Sequence, residues 1–571
     1  MQKKQTILVV ASLLVVVLSV TLAYFTAQII GEGKNISVSS ADLKIVFTDT
    51  DGNIEGSNIT PGWSNSKTFT VKNESNGTYK YDIIIKDLVN TFKTYKYLQY
   101  KITSTDGGYN MTDYSYLPKS STKEDVALAY EISIDKGKTH TYTIEIKYVN
   151  DEYVDQSIDM GQSLSGTIYI REFTKPTMKL TDKLMADNPT IGTRTTFTAF
   201  TETNTGTLYK ATEQIGTNPV KDVYYFAGDA KNNWVKFGKT KEGSCTYKGT
   251  EVIYVNMTNR TTKIPENETE CTSTNICTVG EVGVYFVGLT ESECSNISGT
   301  KWTAEKATWS EAKKDIYWRI TRTNADGSIK LLYAGTSPDT TSGYIGMSAF
   351  NTTDNDPIYV GYKYGTTGSL ENNRLNTNNS TIKTYVDNWY KNNLTAYTKY
   401  LSKDAVYCND RELANGSTYS TTSDFTYAPY ERIYTNNQPT YNCTNMSDAF
   451  SINNTSAKLD YPVGLMSIDE LSYAGGEYWT DLTAPYVWYY TNANGESITG
   501  YLQFWALSPG YWLSSGSVVW GVGDPGYLYY YVVGNSFAVR PQVSLLSCNL
   551  TSRGDGSPEN PYVVYTGSGS C

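Results

Sequence analysis

The sequence predicts a multidomain protein: an all-β antiparallel sandwich followed by a larger α+β domain. Three observations carry this. The chain has 571 residues, more than one hydrophobic core serves. Residues 34–172 hold short alternating runs at even spacing, separated by Gly, Asn and Asp turns, the pattern of an antiparallel sandwich. Beyond residue 173, strand-like runs are joined by two segments of helical character, which makes that part α+β.

The chain opens on Gln2-Lys3-Lys4-Gln5, followed by an uncharged apolar run from Ile7 to Phe25. A positive flank before an apolar run is an export signal. Its 19 residues also suffice for a transmembrane helix. Small residues at Ala23-Tyr24-Phe25-Thr26-Ala27 offer a cleavage site. Residues 1–33 are therefore expected to be a signal peptide or an N-terminal anchor. Either way the body lies outside, because Lys3 and Lys4 stay inside.

The sandwich is expected over 34–172. Its runs are Leu43 to Phe47, Thr68 to Val71, Tyr81 to Ile85, Leu98 to Ile102, His140 to Val149 and Ser165 to Ile170. Turns fall at Pro61-Gly62 and Asn76-Gly77. The stretch Asp49-Thr50-Asp51-Gly52-Asn53-Ile54-Glu55 alternates oxygen ligands as a calcium loop does. Asp-Gly between strands reads better as a hairpin turn.

Residues 173–182, with Lys175-Pro176-Thr177, read as a linker. The large domain then spans 183–571. It opens with Val223 to Ala227 and Trp234 to Phe237, and 239–313 interrupts it as a Thr/Lys/Glu-rich insertion holding four Cys. Strands resume at Tyr317 to Ile320, and Asn324-Ala325-Asp326-Gly327-Ser328 turns into Ile329 to Tyr333. Ile382, Tyr385, Val386, Trp389, Tyr390 and Leu394 fall on one helical face. Ser467-Ile468-Asp469-Glu470 is a capping box opening a short helix.

Composition narrows the chemistry. The net charge is −10, so nucleic acid and anionic membranes are poor partners. His140 is the sole His. It lies in a strand-like alternation, which leaves no multi-His metal site and no ready catalytic triad. Eight Cys, all beyond residue 244 and none in a C-x-x-C motif, read as disulfides of an exported chain. The expected pairs are Cys408–Cys443 and Cys548–Cys571, with Cys245, Cys271, Cys277 and Cys294 pairing among themselves. No cofactor and no metal are expected. Asp469 and Glu470 are adjacent, which suits helix capping better than a glycosidase carboxylate pair. Arg553-Gly554-Asp555 matches the integrin tripeptide, but Gly554-Asp555-Gly556-Ser557-Pro558 reads as a tight turn.

Two resemblances add to this. Ala23 to Ala27, Ser40-Ala41-Asp42-Leu43, Ile59-Thr60-Pro61-Gly62-Trp63 and Phe69 to Gly77 resemble, in order, the TasA/camelysin family of exported Gram-positive proteins. The resemblance implies a jelly-roll-like sandwich and removal of the signal by a dedicated peptidase. The family includes biofilm fibre subunits and a protease, but no His-Glu-x-x-His motif is present here. Tyr317 to Ile320, Leu332 to Thr336, Val386 to Tyr390, Cys408 to Arg411, Tyr461 to Leu465, Trp505 to Pro509 and Val539 to Leu545 resemble a surface-protein domain of gut Firmicutes and Mollicutes. That domain is similar to C-type-lectin-like and formylglycine-generating-enzyme-like folds. The lectin calcium motif is absent, its nearest match being Gln438-Pro439-Thr440.

These features lead to an expected binding protein or adhesin, not an enzyme, at the outer face of a bacterial envelope or secreted. Its partner is expected to be an extracellular glycan or a protein of a host or neighbouring cell. An uncleaved N-terminal helix would add the bacterial membrane. A matrix or fibre subunit is the alternative, and a secreted carbohydrate-active enzyme a third. The expected binding surface is Trp520, Asp524, Tyr527, Tyr529 and Tyr531. In a strand the three tyrosines share one face, with Leu528, Tyr530 and Val532 on the other, and exposed Tyr and Trp on a rigid scaffold serve recognition.

Overall fold

In the computed structural model the chain divides into two compact units, Met1–Lys175 and Pro176–Cys571. The structure describes residues 25–571 apart from 32–35, 41–42, 50–53, 112–113, 241, 249, 257–260, 264, 266–267, 280–283, 297–299, 313 and 568–570, and over 25–58 the backbone alone. Most of the apolar N-terminal run thus lies outside the described residues. Among those described, no helix is long and apolar enough to cross a membrane.

All six runs singled out in the first domain are strands: Leu43–Asp49, Ser64–Asn73, Tyr79–Asn90, Leu98–Ser104, Thr139–Tyr148 and Ser163–Glu172. They join two sheets. One runs in the order Ile54–Ile59, Phe25–Gly31, Ser163–Glu172, Tyr79–Asn90, Ser120–Ile134. The other runs Ile36–Ser40, Leu43–Asp49, Ser64–Asn73, Thr139–Tyr148, Leu98–Ser104, Ser115–Tyr116. Pairing is antiparallel except between Phe25–Gly31 and Ser163–Glu172. The period-2 alternation of Thr139–Tyr148 buries Tyr142, Ile144, Ile146 and Tyr148, which share one core with Ile83, Ile85, Ile168 and Ile170 of the other sheet. Two sheets closing on one apolar core make a β-sandwich.

The phenol of Tyr81, from one sheet, meets His140 Nδ1 at 2.9 Å and the Tyr142 phenol at 2.6 Å, both from the other. The lone histidine is therefore a structural group buried between sheets. Burial pushes its imidazole below the ordinary value, against the pull of Asp106.

The expected turn at Asp51-Gly52 lies outside the described residues; of the strands on either side, Leu43–Asp49 pairs with Ile36–Ser40 and Ser64–Asn73, while Ile54–Ile59 pairs with Phe25–Gly31 in the other sheet. Phe25–Gly31 is a strand, although it falls within the segment read as export signal. Six parallel-register partners in Ser163–Glu172, from Thr26↔Ser163 to Gly31↔Ile168, hold it.

The second unit is β-rich. Its ten-stranded sheet carries Lys221–Tyr225, Asp315–Thr323 and Trp234–Lys239 at its centre, with Ile329–Tyr333 paired to Asp315–Thr323 and Pro541–Leu545 paired to Ile329–Tyr333. The turn at 324–328 closes the hairpin Thr323↔Ile329 as the sequence indicates. A six-stranded sheet packs with it through one core: Met347–Ala349, Ser536–Ala538, Phe504–Leu513, Gly516–Val522 and Leu528–Val532 in that order, with Phe425–Thr426 attached. The predicted amphipathic segment is the helix Thr381–Asn393, which buries Ile382, Val386 and Tyr390 and is capped by Ser380. The helix Leu180–Asp187 starts inside the stretch read as linker, because Leu180 and Leu184 are both drawn into the core, each 1% exposed.

Between the adjacent strands Trp234–Lys239 and Asp315–Thr323, residues 242–312 form a separate seven-stranded sheet. Its own core is small, built around Cys245, Cys271, Ile276 and Val287. All eight cysteines are paired, as Cys245–Cys271, Cys277–Cys294, Cys408–Cys443 and Cys548–Cys571. So little apolar area makes the insertion depend on its bridges. Replacing both Cys277 and Cys294 by Ser should cost the insertion about 3 kcal/mol of local stability. Hydrogen exchange should then rise across 242–312 and stay unchanged in Asp315–Thr323; unaltered protection across the insertion would contradict this.

Candidate functional site: an aromatic platform

The strand Leu528–Val532 is the last of its sheet, antiparallel to Gly516–Val522 on one side only. A tight turn at Gly523-Asp524-Pro525-Gly526 precedes it, closed by the Gly523 amide donating to Tyr527 O at 2.8 Å. The outer edge is taken by another segment. The Leu528 amide donates to Glu477 O at 2.9 Å, and the Trp479 amide to Leu528 O at 3.1 Å. Tyr478 and Trp479 are thereby fixed beside the edge.

Side chains of an edge strand can swing round the edge, and here they do. Tyr529 and Tyr530, neighbours in sequence that a flat strand would send to opposite faces, stack at 4.5 Å with planes 18° apart. Tyr478 lies parallel to both, at 6.0 and 5.8 Å, and its hydroxyl donates to Tyr530 Oη at 3.2 Å. Trp479 meets Tyr529 at 4.5 Å and Tyr527 at 5.8 Å. On the other flank Tyr434 meets Tyr478 at 4.7 Å and stacks on Tyr430 at 4.9 Å. Tyr511 closes the group against Tyr530 at 4.7 Å. The result is a continuous surface of rings, with Trp479 62% and Tyr434 48% exposed.

Of the five residues expected to form the surface, the structure brings three together in it, Tyr527, Tyr529 and Tyr531, all half-buried. Trp520 is 0% exposed and forms the floor, 5.6 Å from Tyr530 and 5.8 Å from Tyr478. Asp524 is exposed at the preceding turn and accepts the Tyr490 hydroxyl. Tyr531 meets Tyr529 edge-on at 5.3 Å and continues the row of rings to Phe537 at 4.6 Å and Trp505 at 6.3 Å. Val532, assigned to the core by alternation, is 38% exposed because the strand ends there. Tyr430, Tyr434, Tyr478 and Trp479 were not anticipated, and Tyr530 was expected on the opposite face of the strand. The one sequence signal for them is the density of aromatics at 427–434 and 478–479, just beyond Gly475-Gly476.

Trp479 has φ +52. A bulky residue in the left-handed region costs roughly 1–3 kcal/mol, a strain that collects at functional sites. Burial pushes the Tyr430 phenol up to about 12 and raises Tyr529 and Tyr478 as well. These phenols keep their protons at neutral pH and can donate and accept hydrogen bonds.

Behind the platform lies its support. The helix Ile468–Ala474 begins with the predicted capping box, Ser467 and Glu470 each bonded to the other's backbone amide. Glu470 also binds Arg322 Nε and Lys330 Nζ, both at 2.9 Å, and Arg322 Nη2 reaches Glu213 at 2.8 Å. The neighbouring Asp469 points elsewhere, to Arg432 at 2.9 Å. A cavity of about 20 Å³ lies among Arg322, Lys330, Arg432, Asp469 and Glu470, room for about one water and no substrate. Among the described residues no group of three His, Cys, Asp or Glu is placed to hold a metal ion. Arg553-Gly554-Asp555 leaves the strand Thr551–Arg553 into a turn with φ +102 at Gly554.

Neither the family models nor the curated proteins compared with the chain include a match.

Burial alone would raise the Glu470 carboxyl, but Lys330 and Arg322 outweigh it and hold it at about 2. A depressed carboxyl lends stability that is full above its unfolded value near 4.5 and is lost as pH falls toward 2. Glu470→Gln leaves two buried cations short of a partner and should cost about 3 kcal/mol at pH 7. The variant should also show a shallower fall in thermal midpoint between pH 4.5 and 2 than the parent. Equal slopes would contradict the assignment.

Proposed function

We propose that this chain is an exported bacterial cell-surface protein whose second unit binds an extracellular glycan on the aromatic platform, with the β-sandwich as its stalk. The observation that carries the reading is Trp479, strained at φ +52 and 62% exposed among stacked tyrosines. A folding core would bury such a ring, and backbone strain of this kind collects at sites that meet a ligand. Sugar rings present apolar C–H faces ringed by hydroxyls. Flat aromatic faces with protonated phenols complement both features at little entropic cost. Four disulfides fit an oxidising, extracellular compartment. The resemblances to the TasA/camelysin family and to a lectin-like surface domain support an envelope location and a binding role.

The test is binding of the full chain to an oligosaccharide array, followed by titration of the best ligand. Trp479→Gly removes the ring and relieves the left-handed strain. It should weaken binding at least about tenfold, equivalent to about 1.4 kcal/mol, while the thermal midpoint stays level or rises. A variant that binds as well as the parent but melts earlier would assign Trp479 to packing and overturn the proposal. Capture of a host protein with no glycan bound would overturn it as well.

A further inference from the structure

The platform is built from three stretches of chain, 424–440, 476–490 and 504–532, and all but one of their charges are negative. Asp424, Glu431, Glu477, Asp481 and Asp524 stand against Arg432 alone, with no lysine. Arg432 is already held by Asp410 at 2.8 Å and Asp469 at 2.9 Å, so its charge is answered before any ligand arrives. Asp481 follows Trp479 by two residues, Asp524 precedes Tyr527 by three, and both are exposed. Chain connectivity keeps both residues near the end of the platform where Trp479 meets Tyr527, and the Asp524 carboxylate there accepts the Tyr490 hydroxyl.

We infer that the platform selects saccharides by charge, taking neutral or amino sugars and turning away those bearing carboxylate or sulfate. The inference rests on the glycan reading above. An anionic group seated on the Trp479 and Tyr527 rings would lie within a Debye length of the two aspartates, two and three residues along the chain. No basic side chain from the three stretches is free to receive it. An ammonium there gains the opposite: attraction to the aspartates, and to the negative faces of Trp and Tyr rings. Each carboxylate at close range should shift affinity about threefold to fivefold in dilute buffer. The effect should fade as the Debye length falls from about 8 Å at physiological salt to about 3 Å at 1 M.

The experiment uses the full chain and an array of matched oligosaccharides, each backbone in neutral, amino and uronic or sulfated form. In dilute buffer, amino forms should bind at least as tightly as neutral ones, and anionic forms at least about threefold more weakly. The spread should narrow in 1 M salt. Asp481→Asn and Asp524→Asn should each reduce the ratio of amino-form to anionic-form affinity. Anionic forms binding as well as or better than neutral ones would overturn the charge inference and leave the glycan reading standing. Binding to no member of the array would overturn both.

Discussion

Glu470 is the group on which the placement of the site depends. Its carboxylate is 3% exposed and satisfies three demands at once: the helix N-cap amide of Ser467, the guanidinium of Arg322 and the ammonium of Lys330. Arg322 and Lys330 belong to the two strands of the 324–328 hairpin, at the middle of the large sheet. One buried anion thus fixes the short helix Ile468–Ala474 against that sheet. Buried charges of this kind add little net stability, but removing one partner leaves the rest uncompensated. Their effect is to give the helix one position.

That position propagates outward along the chain. The helix ends at Gly475, whose φ of +119 suits glycine, and where an added Cβ would meet Phe200 O at 2.5 Å. The backbone then turns at once into Glu477, Tyr478 and Trp479, which pair with Leu528. Only a few residues separate the buried anion from the exposed indole. Rings held this firmly lose little freedom on binding, which suits recognition better than a mobile loop would.

Much of the architecture was legible in local pattern. Six apolar residues at helical spacing announced Thr381–Asn393, Asp326-Gly327 announced its hairpin, and Ser467 with Glu470 announced a helix start. The cysteine positions anticipated the bridges because each pair is close in sequence, 17 to 35 residues apart. Ser120–Ile134 escaped notice because Lys123-Glu124-Asp125 breaks any alternation; at the edge of its sheet those side chains are exposed. The site was half legible. Tyr527 and Tyr529 could be assigned from strand period, but Tyr530 joins them only because an edge strand lets rings from both faces meet. Tyr434 and Trp479 come from distant stretches, and no local pattern links them to Tyr529. Trp520 illustrates the limit of composition: an aromatic in an uncharged run is as ready to be floor as surface.

The central claim is that Trp479 is a ligand-contacting ring rather than a stray exposed side chain. Oxidation of the chain by N-bromosuccinimide, read residue by residue in peptide mass spectra, tests it directly. Trp479 is the one exposed tryptophan among the eleven of the chain, the rest being buried or half-buried, so it should react first. A saturating oligosaccharide should slow its oxidation several-fold and leave the other tryptophans unchanged. An unaltered rate at Trp479 with ligand demonstrably bound would place the binding surface elsewhere and contradict the account.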